Sequence, residues 1–254
     1  MEGIEFIHLE GARVAKVYPT GMEDWAKREF DLTAIVREEG IEAPFMHELV
    51  DVEGRPAIVF DEPTGPDYLD WMLQTPGAWR KLGTFFAYEH HEIHLHQSTD
   101  LPNIATNLEK DISLAGGVSA EVKAKALTRL KEMPKGTSVL HWNYCPRNVI
   151  VTLDGPVKTD WSRAAHGHFL ADVARTLLLI DLQMKNGELD NDHENMLTKL
   201  RATYEVEYLK IAGRSSEELR AWMLPITVAR LGESRAGEKG LLIDMIAAMV
   251  KERR

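Results

Sequence analysis

The stretch VLHWNYCPRNVIVTLDGPVKTDW, Val139–Trp161, decides how the rest of the chain is read. His141, Asn143, Asn148 and Asp160 sit beside the apolar runs Val139-Leu140 and Val149–Val151. A polar side chain drawn into an apolar setting without a partner is costly, so the pattern points to a site. Alternating apolar residues on either side of Asp154-Gly155 predict a hairpin turned at that dipeptide. Asn143 and Asn148 are five residues apart, and Asp160 follows twelve residues later, beyond the turn.

On the N-terminal side, residues 4–18 alternate loosely around EGAR and predict two short strands, with Lys16 in the second. GMEDWAKREFDLTAIVREEG, residues 21–40, predicts a helix stopped at Gly40, a residue suited to the left-handed position after a helix. On a helical wheel Met22, Trp25, Leu32, Thr33 and Val36 share a face with Glu29 at its centre. A carboxylate in an apolar stripe asks for a cation. FMHELVDVEGRPAIVF, residues 45–60, predicts a second hairpin around VEGRP, and the Pro- and Gly-rich DEPTGPDYLDW that follows marks a boundary.

Beyond it the pattern turns helical. Thr75-Pro76 starts a segment running to about Ser98, with Trp79, Leu82, Phe86, His90 and Ile93 at helical spacing. A further helix is predicted from about Ser119 to Met133, ended by PKG, and helix resumes from about Leu170. The fold class is therefore α+β: a small β-rich part with one helix, residues 1–62, then a larger, mainly helical part, residues 63–254, carrying the polar hairpin.

Composition limits the function. With 44% apolar and 28% charged residues the chain is globular in character. A net charge of −10 argues against a nucleic-acid partner and favours cationic or metal-bound ligands. Cys145 is the sole cysteine, which excludes an internal disulfide and fits a reducing compartment. No run approaches the ~18 apolar residues of a membrane span, and MEGIEFIHLEG is too acidic and mixed for a signal peptide. A cytoplasmic protein without membrane partners is expected.

His141, Asn148 and Asp160 match in type and spacing the catalytic loop and metal-binding aspartate of protein-kinase-like enzymes, with Asn143 standing where an aspartate should be. The longer pattern, HWNYCPRNVIV followed by DGPVKTDW and LADVAR, resembles the aminoglycoside phosphotransferase (APH) family, whose signature runs His-Gly-Asp-x-x-x-x-Asn, a strand, Asp-Trp and a later Asp-x-Ala. Lys16, Glu29, FDEP and the helix containing HHEIHLH fall in the expected order, so the resemblance covers most of the chain. It implies a two-lobed, protein-kinase-like fold and transfer of a γ-phosphoryl group from ATP or GTP to a hydroxyl of a small molecule. By the resemblance Lys16 holds the nucleotide phosphates and pairs with Glu29, Asn148 and Asp160 bind Mg²⁺, and the backbone of Asp61, Glu62 and Pro63 lines the adenine pocket. Asp160 and Asn143 are the catalytic positions, and Asp172 braces the catalytic loop.

Two departures bear on activity. Asn143 is a neutral amide, able to orient a hydroxyl but not to accept its proton, and general-base help is typically worth about 10²- to 10⁴-fold. Only Gly3 and Gly11 precede Lys16, so the strand and glycine loop over the phosphates are expected to be truncated or missing. The chain reads as a slow small-molecule kinase or, alternatively, as a catalytically silent nucleotide- or ligand-binding protein with a regulatory role.

Other groups have plainer readings. EHHEIHLH lacks the His-Glu-x-x-His spacing of a metalloprotease because Leu95 occupies the second histidine position, and His90 and His94 read as core packing. His141 reads as a hydrogen-bonding core residue, Cys145 as inert packing and Arg147 as a solvated arginine. The acidic NGELDNDHE, residues 186–194, reads as a solvated face that could attract a cationic acceptor.

Overall fold

The computed structural model describes residues 3–186, 189–233 and 236–251; Gly187 and Glu188 of the acidic stretch lie outside them. Two compact units form. The first gathers the chain up to Trp71 with His141–Ala164, and the second gathers Met72–Leu140 with Ala165 onward. Compactness thus groups the polar hairpin with the N-terminal strands, across the linear division at residue 62.

In the first unit β1 (Glu5–Leu9), β2 (Arg13–Val17), β3 (Met46–Val52) and β4 (Arg55–Asp61) make an antiparallel sheet in the order β1-β2-β4-β3. The two inner strands are the apolar ones: Val14, Ala15 and Val17 of β2 and Ala57–Phe60 of β4 are buried, whereas every residue of β1 is exposed. The β3–β4 turn is made by Glu53 and Gly54, both at positive φ, the arrangement that matches strand twist in a two-residue hairpin. α1 (Glu23–Glu38) follows β2, burying Glu29, Leu32, Thr33 and Val36, and Gly40 takes the expected left-handed conformation at φ 85°.

The polar hairpin is β6 (Val149–Thr152) and β7 (Gly155–Lys158). Its turn falls one residue earlier than expected, at Leu153-Asp154, because Gly155 already pairs with Thr152 and the Thr152 hydroxyl donates to the Gly155 carbonyl at 2.8 Å. Gly65 packs against β6 so closely that a Cβ there would lie 2.0 Å from the Val151 carbonyl oxygen. Only glycine fits, which fixes the segment after β4 against the hairpin.

A helix absent from the sequence reading, α2 (Tyr68–Gln74), follows Asp67, whose carboxylate accepts from the Asp70 N–H at 2.9 Å. Seven residues after a Pro- and Gly-rich run give too little periodicity to recognise.

The second unit holds α3 (Trp79–Leu95), α4 (Ile104–Leu114), α5 (Ala120–Glu132), the short pair β5 (Ser138–Leu140) and β8 (Ala165–Gly167), then α6 (Phe169–Lys185), α7 (Asn191–Ala212), α8 (Ser216–Gly232) and α9 (Lys239–Lys251). α3 packs on α7, and α4 and α6 pack on α8. α3 stops at Leu95, short of the expected Ser98, since the backbone beyond it extends to pair with the β5 segment: Val139 N–H donates to the His96 carbonyl and Ser98 N–H to the Thr137 carbonyl, both at 2.9 Å. Ser119 caps α5 as the sequence suggests, and Ser215 with Glu218 forms a capping box on α8. Among the described residues no helix is long and apolar enough to cross a membrane.

Candidate functional site

The cation demanded by Glu29 is Lys16. Mid-strand in β2, its Nζ donates to both Glu29 carboxylate oxygens at 2.8 Å, and Tyr18 donates its hydroxyl to Oε2. Lys16 is 7% and Glu29 3% exposed. Lys16 Nζ also lies 3.6 Å from Asp160 Oδ1, so one ammonium serves two carboxylates. Burial alone would lower the Lys16 pKa; the charges of Glu29 and Asp160 overcome that and raise it. Burial, followed by the adjacent Glu29 charge, holds the Tyr18 hydroxyl far above its ordinary range. Tyr18, just past the end of β2, was missed in the sequence, although a residue two positions from Lys16 in extended chain shares its face.

The segment over residues 141–162 is built around two left-handed residues, Trp142 at φ 60° and Asp160 at φ 62°. Such a backbone costs a non-glycine residue roughly 1–2 kcal/mol. Trp142 stands where the resembling signature carries glycine, and its ring is 4% exposed. Truncating a buried Trp costs about 3–5 kcal/mol, so burial outweighs the strain. His141 is fully buried in the role expected for it: its ring packs on Trp161 with centroids 4.2 Å apart, and its Nδ1 accepts from the Asn143 N–H at 3.2 Å.

Asn143 donates its Nδ2 to Asp160 Oδ2 at 2.6 Å, and Asn148 donates its own Nδ2 to the Asn143 carbonyl at 2.9 Å. Ser162, which no sequence signal singled out, donates to Asp160 Oδ1 at 2.8 Å. Burial pushes the Asp160 carboxyl up, but Lys16, the Ser162 hydroxyl, His141 and the Asn143 amide together hold it below the usual carboxylate value. Asp160 is therefore ionised at neutral pH and a poor proton acceptor. Arg147 is exposed, with Nη1 2.8 Å from Asp67 Oδ2.

Burial pushes the Cys145 thiol up to about 11. Against an ordinary thiol value of 9.0, its thiolate fraction at neutral pH falls about a hundredfold. Thiol-reactive dyes should accordingly label the native chain at least about a hundredfold more slowly than the urea-unfolded chain; equal rates would show an accessible, ordinary thiol.

Lys16, Glu29, Asn148 and Asp160 line one cavity of about 430 Å³ within the first unit, with Glu62 and Pro63 at its wall. Val14, Met46, Phe60 and Ile150 give it an apolar side suited to a flat ring. The side chain of Asp61 is engaged elsewhere, on His47 Nε2 at 2.6 Å. The Asp61 and Glu62 N–H groups donate to the Phe45 and Ala12 carbonyls, each at 3.0 Å, and Pro63 has no N–H. The backbone expected to face a base thus holds no uncommitted N–H at these three residues. The strand ahead of the lysine strand is present as β1, joined to β2 through Glu10–Ala12, where Gly11 is the single glycine and Ala12 has φ 56°. The Asp160 carboxylate and Asn148 carboxamide bring hard oxygen donors to one cavity, a set that fits Mg²⁺ with its remaining positions filled by water and phosphate.

A sheet lysine paired with a helix glutamate, and a polar hairpin ending in an aspartate beside that lysine, define the protein-kinase-like α+β class. Solved structures share the fold. One is a thermostable mutant of aminoglycoside phosphotransferase APH(4)-Ia in a ternary complex with ADP and hygromycin B, with a TM-score of 0.64 and 13% identity, covering 99% of this chain and 94% of that one. Another is aminoglycoside phosphotransferase APH(3'')-Id from Streptomyces rimosus with ADP and streptomycin, with a TM-score of 0.53, 15% identity and 89% and 92% covered. Choline kinase from Cryptosporidium parvum matches with a TM-score of 0.57, 11% identity and 98% and 89% covered. A comparison with curated proteins finds no match. The model of the phosphotransferase enzyme family (APH) matches residues 4–214, and the chain belongs to that family.

Proposed function

We propose that the protein is a small-molecule kinase that transfers the γ-phosphoryl group of ATP or GTP to a hydroxyl, with residues 1–62 serving the nucleotide and residues 63–254 the hairpin chemistry and the acceptor. The observation that carries this reading is Lys16 Nζ placed between Glu29, at 2.8 Å, and Asp160, at 3.6 Å, on the wall of a cavity shared with Asn148. A buried ion pair contributes little net stability, because desolvation offsets the Coulomb gain; a role on phosphates accounts for it better. Mg²⁺, held by Asn148 and Asp160, would neutralise phosphate charge. Glu29 and Asp160 orient the Lys16 ammonium toward the transferring group. With its Nδ2 committed to Asp160, Asn143 has Oδ1 available to accept from the acceptor hydroxyl, orienting it without removing its proton. Phosphoryl transfer rests mainly on positioning and charge neutralisation, so the reaction proceeds slowly.

Thermal unfolding with and without Mg-ATP and Mg-GTP tests the reading. At a hundredfold excess over Kd, binding stabilises by about 2.7 kcal/mol, which for a chain of this size raises Tm by about 5–10 °C. No shift with either nucleotide would sink it. The second reading, a catalytically silent nucleotide-binding protein, is favoured by the Asn143–Asp160 hydrogen bond, and corresponds to a shift without turnover.

The committed backbone of the Asp61–Pro63 segment yields a further expectation. Pro63→Gly supplies an N–H that a purine ring nitrogen can accept, worth about 0.5–1.5 kcal/mol. The Kd for ATP should fall about 3- to 10-fold by calorimetry; an unchanged Kd places the base away from this segment.

A further inference from the structure

α3 carries His90 and His94 one turn apart on its buried face, and the first turn of α6 brings Asp172 against both. These side chains are buried, 0%, 4% and 0% exposed. His90 Nε2 lies 3.2 Å and His94 Nε2 3.3 Å from a single atom, Asp172 Oδ2, and the three candidate ligand atoms all lie within 4.8 Å of one another. On the other side of each ring, Nδ1 meets a hydroxyl of α7: Tyr204 on His90 at 2.7 Å and Tyr208 on His94 at 2.5 Å. Within its own unit Asp172 is engaged by two imidazoles.

Charge-assisted N–H···O⁻ bonds run about 2.7–2.9 Å, so 3.2 and 3.3 Å are long for a buried carboxylate. They suit a metal. With Zn–N and Zn–O bonds near 2.0–2.1 Å, ligand atoms around a tetrahedral zinc stand about 3.3–3.4 Å apart. The tyrosine hydroxyls on both Nδ1 atoms are the outer hydrogen bonds that orient metal-bound imidazoles.

We propose that His90, His94 and Asp172 form a buried structural zinc site that pins α3 to α6, with Tyr204 and Tyr208 orienting the two imidazoles. Three protein ligands and a water complete the four positions zinc takes. The sequence reading placed both histidines in core packing because the third ligand comes from a segment 78 residues beyond His94.

The full chain carrying Asp160→Asn, which removes the other candidate cation site, is purified from zinc-supplemented medium and dialysed against EDTA. Elemental analysis should find about one zinc per folded chain, as ligands this deeply buried exchange their metal only on opening of the fold, and release on denaturation. His94→Asn in the same background should lose it while keeping its helical circular dichroism. Should that variant fail to fold, refolding the parent with Co²⁺ gives an independent readout, the intense visible bands of a four-coordinate nitrogen and oxygen site. A folded chain free of zinc and colourless with cobalt, or zinc retained by folded His94→Asn, overturns the proposal.

Discussion

Asn143→Asp should raise turnover with Mg-ATP or Mg-GTP by about 10²- to 10⁴-fold, the usual worth of a general base, while making the ligand-free chain less stable. Both effects come from one contact. Asn143 Nδ2 donates to Asp160 Oδ2 at 2.6 Å, and a carboxylate in its place turns a donor–acceptor pair into two like charges. Losing a hydrogen bond to a charged group costs about 1.5–3 kcal/mol, and the pair raises the pKa of one partner. The sign with pH follows. In the parent, Asp160 is held below its ordinary value, so its contribution is present at neutral pH and lost as pH falls through the folded value. In the variant the added carboxyl is raised, so the deficit grows as pH rises through that value and fades in acid, where the pair shares a proton. Divalent cation between the carboxylates removes the deficit, so Mg²⁺ should stabilise the variant more than the parent. Nucleotide hydrolysis and acceptor turnover, with Tm against pH, check both halves. A variant that binds nucleotide but turns over no faster would favour the silent binding protein.

That Asn143 restrains Asp160 was not legible in the chain. The loop spacing identified Asn143, Asn148 and Asp160, but spacing says nothing of which amide hydrogen points where. Glu29 could be read because a carboxylate at the centre of an apolar helical face needs a cation, and the family resemblance named Lys16 as that cation. Tyr18 and Ser162 were not read: each donates a hydroxyl to a carboxylate, and such contacts leave no periodicity. The helices over 79–95 and 120–132 followed from spacing and caps, whereas the eleven residues of α4 went unread and three-residue strands such as β5 and β8 carry too few residues for alternation to register. The commitment of the Asp61 and Glu62 N–H groups depends on pairing to Phe45 and Ala12, distant in sequence, although the missing N–H of Pro63 was visible from the start.

Lys16→Met should cost the fold about 3–5 kcal/mol, the penalty for leaving a buried charge without its partner. Glu29 would remain 3% exposed, with the Tyr18 hydroxyl as its one remaining donor among the hydrogen bonds described here, and Asp160 would lose its nearest cation. Removing Glu29 and Tyr18 together with the ammonium is different in kind. Lys16→Met, Glu29→Leu and Tyr18→Phe together replace a desolvated ion pair and its hydroxyl by apolar groups of similar size, which is often neutral or stabilising. The triple variant should therefore recover the part of the loss that comes from Glu29, and the part it does not recover reports what Asp160 loses with its cation. Chemical denaturation gives both numbers, and nucleotide binding separates structure from function. If the ammonium serves phosphates, the stable triple variant should lose the Tm rise with Mg-ATP and Mg-GTP. A triple variant that keeps the full rise would leave Lys16 as a relic of packing and move the nucleotide elsewhere.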